Sequence, residues 1–231
     1  MIVLHQFPAP EELPNYSPFC MKVETYLRMA GLPYRVQPSL PNNAPKKKLP
    51  FIVDDGVTVA DSALILDYLK KKYGDPLDGQ LTKQQRAQAQ AIRCMLEEHL
   101  YFCALHDRWV VDENFPKVRD SFFLSVPAPV RGLIASIVRS LMRKTSYRQG
   151  IGRHRLDEIY AFGRADIDAL TELLGGQPYL LGDAPSSLDA TAYGLLANLL
   201  WGPINSPLTR HAAAQPTLVA YCERMKKRYF A

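Results

Sequence analysis

The spacing of apolar residues changes character once along this chain, between Gly74 and Thr82, and that break limits what it can fold into. Ahead of it, strand and helix signals alternate. Residues 2–7 read as a buried strand, residues 18–30 as a helix, and residues 34–36 as the core of a short second strand. Residues 38–48 are polar, proline-rich and end in three lysines, so no long regular element fits there. Phe51-Ile52-Val53 and Val57-Thr58-Val59 flank Asp54-Asp55-Gly56, a hairpin signal because such a turn takes positive φ angles. Asp61-Ser62 then opens a helix that runs through Tyr73 and stops at Gly74. Beyond the break, residues 83–113 carry long helical periodicity without strand signals, and helical texture resumes from about Lys117. Pro127, Pro129, Pro178, Pro185, Pro203, Pro207 and Pro216 divide it into separate helices. The pattern predicts a small α/β layer over residues 1–76, a linker at 77–82, and an all-helical unit over 83–231.

A chain of 231 residues can bury the core that two such units require. Hydrophobic residues at 47% against 22% charged ones exclude a disordered chain. The net charge of +5 is too modest to argue for nucleic acid, and no basic run is interleaved with aromatics. The first eight residues lack a basic region and a long apolar run, so they do not read as a signal peptide. No span offers the roughly 20 uninterrupted apolar residues of a membrane helix. The nearest, residues 126–142, carries Arg131 and Arg139 and reads as an amphipathic or buried helix. Cys20, Cys94, Cys103 and Cys222 are too widely spaced for a disulfide framework or a zinc pattern, so a reduced, cytoplasmic chain is expected.

The densest local signal is Asn15-Tyr16-Ser17-Pro18-Phe19-Cys20. Ser17 suits a helix N-cap and Pro18 the first helical position, where its missing N–H costs nothing. Cys20 falls one turn further on. A helix start after a strand is suited to an anion, although the same residues also make an ordinary capped helix. Ser186-Ser187-Leu188-Asp189, ahead of the apolar run 190–200, is a capping motif with a structural role.

Ser17-Pro18-Phe19-Cys20 resembles the glutaredoxin Cys-Pro-x-Cys motif with serine in the first position. Leu49-Pro50 at a strand start and Asp61-Ser62 at a helix start follow in the order and spacing of the cytosolic glutathione transferase superfamily, which the whole chain resembles. Arg108-Trp109 with Asn114-Phe115, and Gln149-Gly150-Ile151-Gly152-Arg153-His154, are similar to the branch that holds failed axon connections and the metaxins. The resemblance implies an α/β thioredoxin-like N-terminal domain joined to an all-α C-terminal domain. It implies glutathione as co-substrate, no metal, a small electrophilic partner, a role in detoxification and a homodimer. It offers as the alternative a scaffold that kept the fold without the chemistry.

The residue roles follow from the same resemblance. Conjugation needs a thiolate, and lowering a thiol pKa from about 8.5 by two units takes about 3 kcal/mol. The Ser17 hydroxyl and the positive end of its helix are the expected source. The tyrosine used by other members is absent from the end of the first strand, His5-Gln6-Phe7. Leu49, before a cis Pro50, would pair its backbone with the cysteinyl part of glutathione, and Asp61 and Ser62 begin a helix whose backbone N–H groups, with the Ser62 hydroxyl, would hold the γ-glutamyl carboxylate. Asp61 could equally serve only as a cap. Lys48 is the lysine nearest to Leu49-Pro50 for the glycyl carboxylate, though residues 38–48 leave little room for the usual second helix. Cys20 reads as packing, with thiol transfer as its minor alternative. Glu98, His99, Tyr101, Phe102, His106 and Trp109 recur along one helix, and some must line the electrophile cleft. His99, Cys103 and His106 share a face by spacing and read as hydrogen-bonded residues rather than a metal site. Arg139, Arg143, Lys144, Arg148, Arg153 and Arg155 read as a solvated cluster, with a membrane surface or an acidic partner as the sharper alternative.

Overall fold

The computed structural model describes residues 1–10, 13–124 and 126–230. β1 (Ile2–Gln6) pairs in parallel with β2 (Tyr34–Pro38), Leu4 opposite Val36. On its other edge it pairs antiparallel with β3 (Phe51–Asp54), His5 opposite Phe51. β4 (Val57–Ala60) completes the order β2-β1-β3-β4. The expected hairpin turn is present: Asp55 and Gly56 take φ of 49° and 83°, the left-handed pair that a two-residue loop needs. The buried Asp54 carboxylate accepts Lys72 Nζ at 2.7 Å and the Tyr73 hydroxyl at 2.8 Å. Those bonds tie the hairpin to the last turn of α2 (Ser62–Tyr73). Residues 38–48 hold only a short 3-10 turn, Pro41–Asn43, as their prolines require.

Between the strands, α1 (Pro18–Met29) starts at Ser17 and is buried from Cys20 to Leu27, whichever way the side chains point. Val23, Tyr26 and Leu27 pack with Ile2, Leu4 and Ile52 of the sheet and with Ile65 and Leu69 of α2. The rest of the described chain is helical. α3 (Lys83–Cys94) continues through a π-helical stretch, Met95–Leu100, into α4 (Tyr101–Trp109). Then come α5 (Phe115–Phe122), α6 (Ala128–Gln149), α7 (Leu156–Leu174), α8 (Ser187–Trp201), α9 (Pro207–Ala213) and α10 (Pro216–Tyr229). Among the described residues, no helix is long and apolar enough to cross a membrane.

α8 is buried without interruption from Leu188 to Leu199. Its capping motif works as the sequence implies: Asp189 Oδ2 accepts Ser186 N at 2.8 Å, and its Oδ1 accepts Leu180 N at 3.1 Å and the Tyr221 hydroxyl at 3.0 Å. The face of α1 turned from the sheet lies on α8. A Cβ at Gly194 would stand 2.6 Å from the Pro18 carbonyl oxygen and 3.1 Å from Lys22 N, so glycine is what lets the two backbones approach. α6 departs from expectation. It is two-sided but turned over: of its residues only Ala135 and Ser146 are buried, while the apolar Leu133, Ile137 and Leu141 face outward.

Gly194→Ala should therefore push α1 and α8 apart and lower unfolding free energy by about 1–3 kcal/mol. Urea denaturation measures this, and an unchanged midpoint would show that the contact does not set the spacing.

Candidate functional site

The sheet register brings the three N-terminal motifs together. β3 begins beside the end of β1, since Phe51 pairs with His5, and β4 ends there too, since Ala60 pairs with Phe51. The segment after β1, the residues before β3 and the residues after β4 thus meet at one end of the sheet. A small apolar cluster of Cys20, Ala44, Leu49, Phe51 and Ala60 joins them. The Leu49–Pro50 peptide bond is cis.

Ser17 is positioned by the buried Asn15. Asn15 Nδ2 donates to the Phe7 carbonyl at 2.8 Å, and its Oδ1 accepts Ser17 N at 3.0 Å. The half-buried Ser17 then caps α1, its Oγ accepting Cys20 N over a long 3.4 Å. The Cys20 thiol is fully buried, and burial pushes its pKa up to about 12 against the hydrogen bonds from Ser17 and the Phe7 backbone. Near neutral pH it stays a thiol and is a poor nucleophile. That supports reading Cys20 as packing.

Asp61 caps α2, its Oδ1 accepting Ala63 N at 3.0 Å, so the plain capping role is filled. Its φ of 98° is a strained value for a residue with a Cβ. Oδ2 accepts Lys48 Nζ at 3.1 Å. Burial pushes the Asp61 carboxyl up, but Lys48 and Ala63 N outweigh it and hold it below the usual carboxylate range. Lys48 and Asp61 are therefore brought together, each neutralising the other. Lys47 is turned away, donating to the Asn42 carbonyl at 2.9 Å.

Behind Ser62 lies a group that the sequence reading missed. Buried Lys22 of α1 donates from Nζ to Glu97 Oε1 at 2.6 Å and to Ser62 Oγ at 3.3 Å. Arg93 Nη1 meets the other Glu97 oxygen at 2.8 Å. Burial pulls the Lys22 pKa down while Glu97 pushes it back up. The pair links α1, the start of α2 and the π-helical stretch, so Ser62 is held from behind by a charge. The available signal was a lone lysine one turn from both Pro18 and Tyr26 on a helix with an apolar face.

On the other side of Ser17 is an aromatic wall. The Tyr16 ring stacks on Phe122 of α5 at 4.3 Å, and Phe19 meets the edge of Tyr101 at 4.8 Å. Trp109 sets its edge to Phe122 at 5.7 Å. Arg108 lies 5.0 Å over Phe122 and donates to the Tyr16 carbonyl at 2.9 Å and to Asn198 Oδ1 at 3.2 Å. Of the residues expected along this helix, Tyr101 and Trp109 join the wall, and Phe102 packs edge-on to Tyr101. His99 instead bonds Asp166 of α7 at 2.6 Å, and His106 bonds Ser146 of α6 at 2.9 Å. The Glu98 carbonyl accepts Gln149 Nε2 at 3.3 Å. The two histidines therefore diverge, and among the described residues no group of three His, Cys, Asp or Glu could hold a metal ion.

Residues 18–114 match the glutathione S-transferase N-terminal domain, and residues 163–225 the glutathione S-transferase C-terminal domain. The isoprene-epoxide–glutathione S-transferase of Rhodococcus sp. (strain AD45) is 37% identical over 99% of both chains. The chain belongs to the glutathione transferase family. Failed axon connections of Drosophila melanogaster is 35% identical over 100% of this chain, which spans 58% of that longer protein. Metaxin-1 of Mus musculus is 29% identical over 94% of this chain and 72% of its own length. These relatives place the chain in the branch that its Arg108-Trp109 and Gln149–His154 segments suggested. The fold agrees: a glutathione S-transferase of Ceriporiopsis subvermispora, solved in complex with glutathione, superposes with a TM-score of 0.67 at 18% identity, covering 100% of this chain and 98% of that one. The architecture is thus the family's thioredoxin-like unit with a helical partner.

Lys22→Ala leaves Glu97 buried with one cation in place of two and should cost about 3–5 kcal/mol of unfolding free energy. Lys22→Met combined with Glu97→Leu should recover most of that loss. Denaturant unfolding of the two variants decides it, since equal losses would mean that the ion pair is not the coupled unit described.

Proposed function

We propose that the chain is a glutathione transferase, with Ser17 holding the sulfur of glutathione as a thiolate for attack on a small electrophile. In this reading residues 1–76 form the glutathione-binding domain, 77–82 the linker and 83–231 the helical domain. The observation that carries it is the convergence of Ser17, cis Leu49–Pro50 and Asp61-Ser62 at one end of the sheet, joined by one apolar cluster. The Rhodococcus relative supports it across nearly the whole of both chains.

Each element has a part to play. An extended peptide laid along Leu49 pairs its backbone there. Ser62 Oγ already accepts a hydrogen bond from Lys22 Nζ, which leaves its own O–H to donate to the γ-glutamyl carboxylate beside the N–H groups opening α2. The Asp61 carboxylate suits the α-ammonium, and Lys48 brings positive charge for the glycyl end. Ser17 stands at the positive end of α1, where a donated hydrogen bond and the helix field both favour sulfur as an anion. The wall of Tyr16, Phe122 and Trp109 offers apolar surface to the second substrate. An epoxide, the class in the Rhodococcus relative's name, suits such a wall. The sulfur–carbon bond forms as the strained carbon–oxygen bond breaks, and the released oxygen takes a proton from water.

A second reading has its own support. Failed axon connections and Metaxin-1, 35% and 29% identical to it over 100% and 94% of the chain, carry no transferase in their names. On that reading the site is retained as structure and the chain acts as a scaffold.

Calorimetric titration with glutathione and conjugation assays on Ser17→Ala separate the two. The transferase reading expects binding within about fivefold of the unaltered protein and conjugation lower by about 10²-fold or more, the loss expected when one donor to a developing or held anion is removed. Absence of glutathione binding by the unaltered protein overturns it in favour of the scaffold.

A further inference from the structure

The least explained surface lies on α6. Helices of globular proteins bury their apolar stripe, yet here the stripe points to solvent. Val130, Leu133, Ile137 and Leu141 are exposed at 43%, 66%, 54% and 52%, and Ile134 lies beside them. They form one line about 16 Å long, taking 1.5 Å per residue. Leu124, exposed in the preceding loop, extends the apolar surface at its start. The inner side of the helix is held by charge. Arg139 donates to the Trp109 and Val110 carbonyls at 3.0 Å, Arg143 donates to the Val110 carbonyl at 3.2 Å, and both reach Asp112. Cations at the carboxyl end of α4 satisfy its last carbonyls, so packing places no demand on the outward leucines and isoleucines.

Charge decides what covers this line. From Ser121 to Leu156 the sequence has no Asp or Glu, while it has Arg131, Arg139, Arg143, Lys144, Arg148, Arg153 and Arg155. Lys144 and Arg148 fall on the outward line itself, one and two turns past Leu141, with no ion pair or hydrogen bond among the described residues. These two, with Arg143, border an open cleft of about 370 Å³ together with His106 of α4 and Val110 just past its end. A second copy would present this same acid-free surface and leave those cations unmet. The line is also a ridge on one helix and offers no groove to a partner's side chain.

We propose that α6 lays its outward face on an anionic phospholipid surface. Its leucines and isoleucines enter the boundary between headgroups and acyl chains, and Lys144 and Arg148 lie along the phosphates with their aliphatic stems on the apolar side. The helix lies in the plane of the surface and does not cross it. The cleft by Arg143 gives one headgroup phosphate a place beyond the line itself. Nothing in this depends on the glutathione site, which is built from α1, α2 and the strand ends.

Flotation with vesicles of phosphatidylcholine mixed with phosphatidylglycerol, beside vesicles of phosphatidylcholine alone, tests it. The unaltered protein should float with the mixed vesicles only, and added salt should weaken its binding. Leu133→Ser with Ile137→Ser should lower binding by about tenfold or more. Lys144→Gln with Arg148→Gln should lower it by about twenty-five-fold, near fivefold for each cation at the surface. All four positions are exposed, and an unchanged melting temperature confirms that the variants fold. Failure to float with mixed vesicles, or equal binding to both kinds, overturns the proposal. So does dissociation of a solution dimer by the Leu133→Ser, Ile137→Ser variant in sedimentation equilibrium, which assigns the face to a second copy. Capture of a soluble poly-glutamate peptide in place of the vesicles overturns it too, in favour of an acidic protein.

Discussion

The broadest contact that joins the α/β part of this chain to its helical part is that of α1 with α8. α1 serves two cores with its two faces: Val23, Tyr26 and Leu27 complete the sheet layer, while Met21 belongs to the cluster built around Leu96, Leu196 and Leu199. Such double service requires close approach, and Gly194 provides it by bringing the α8 backbone against Pro18 and Lys22. The site depends on the same contact. Ser17 begins the helix held there, and Asn198 of α8 donates to the Asn15 carbonyl at 3.2 Å and accepts from Arg108. The hydroxyl expected to face glutathione is therefore fixed from both units at once.

The second organising force is a buried charge. Lys22 and Glu97 are each costly to desolvate, and the structure retains them together with Arg93 and Ser62. Their arrangement sets one polar line across the junction between the α/β and helical parts. An apolar pair of similar size would join the surfaces about as firmly. It would not orient the Ser62 hydroxyl, and orientation is what a binding site needs from its supporting residues.

Local chemistry explains how much of this could be read in advance. The Ser17 cap, the Asp55-Gly56 turn, the Asp61 cap and the Ser186–Asp189 box are each decided within about four residues, and all appear as the sequence implies. The ordering of the three motifs, and so the family, was legible from the resemblance. Lys22 with Glu97 was not, because its partners lie 75 residues apart and no local pattern pairs them. Arg108 with Tyr16, 92 residues apart, escaped for the same reason. On α6 the periodicity was visible but not its direction. An apolar stripe tells which residues share a side, and only the Arg139 and Arg143 contacts with α4 show that the side faces out.

The π-helical stretch at Met95–Leu100 has a wider consequence. Within it Glu97 faces inward to Lys22, while His99 and His106, about two turns apart, meet α7 and α6 in turn. The rod thus behaves as two helices keyed at different angles. Its first half answers to α1 and its second half to the aromatic wall beside Ser17. A one-residue deletion within the stretch would leave the rod helical yet rotate everything beyond it by about 100°. A change of length there would turn Tyr101, Arg108 and Trp109 about the rod while leaving Lys22 and Ser62 in place.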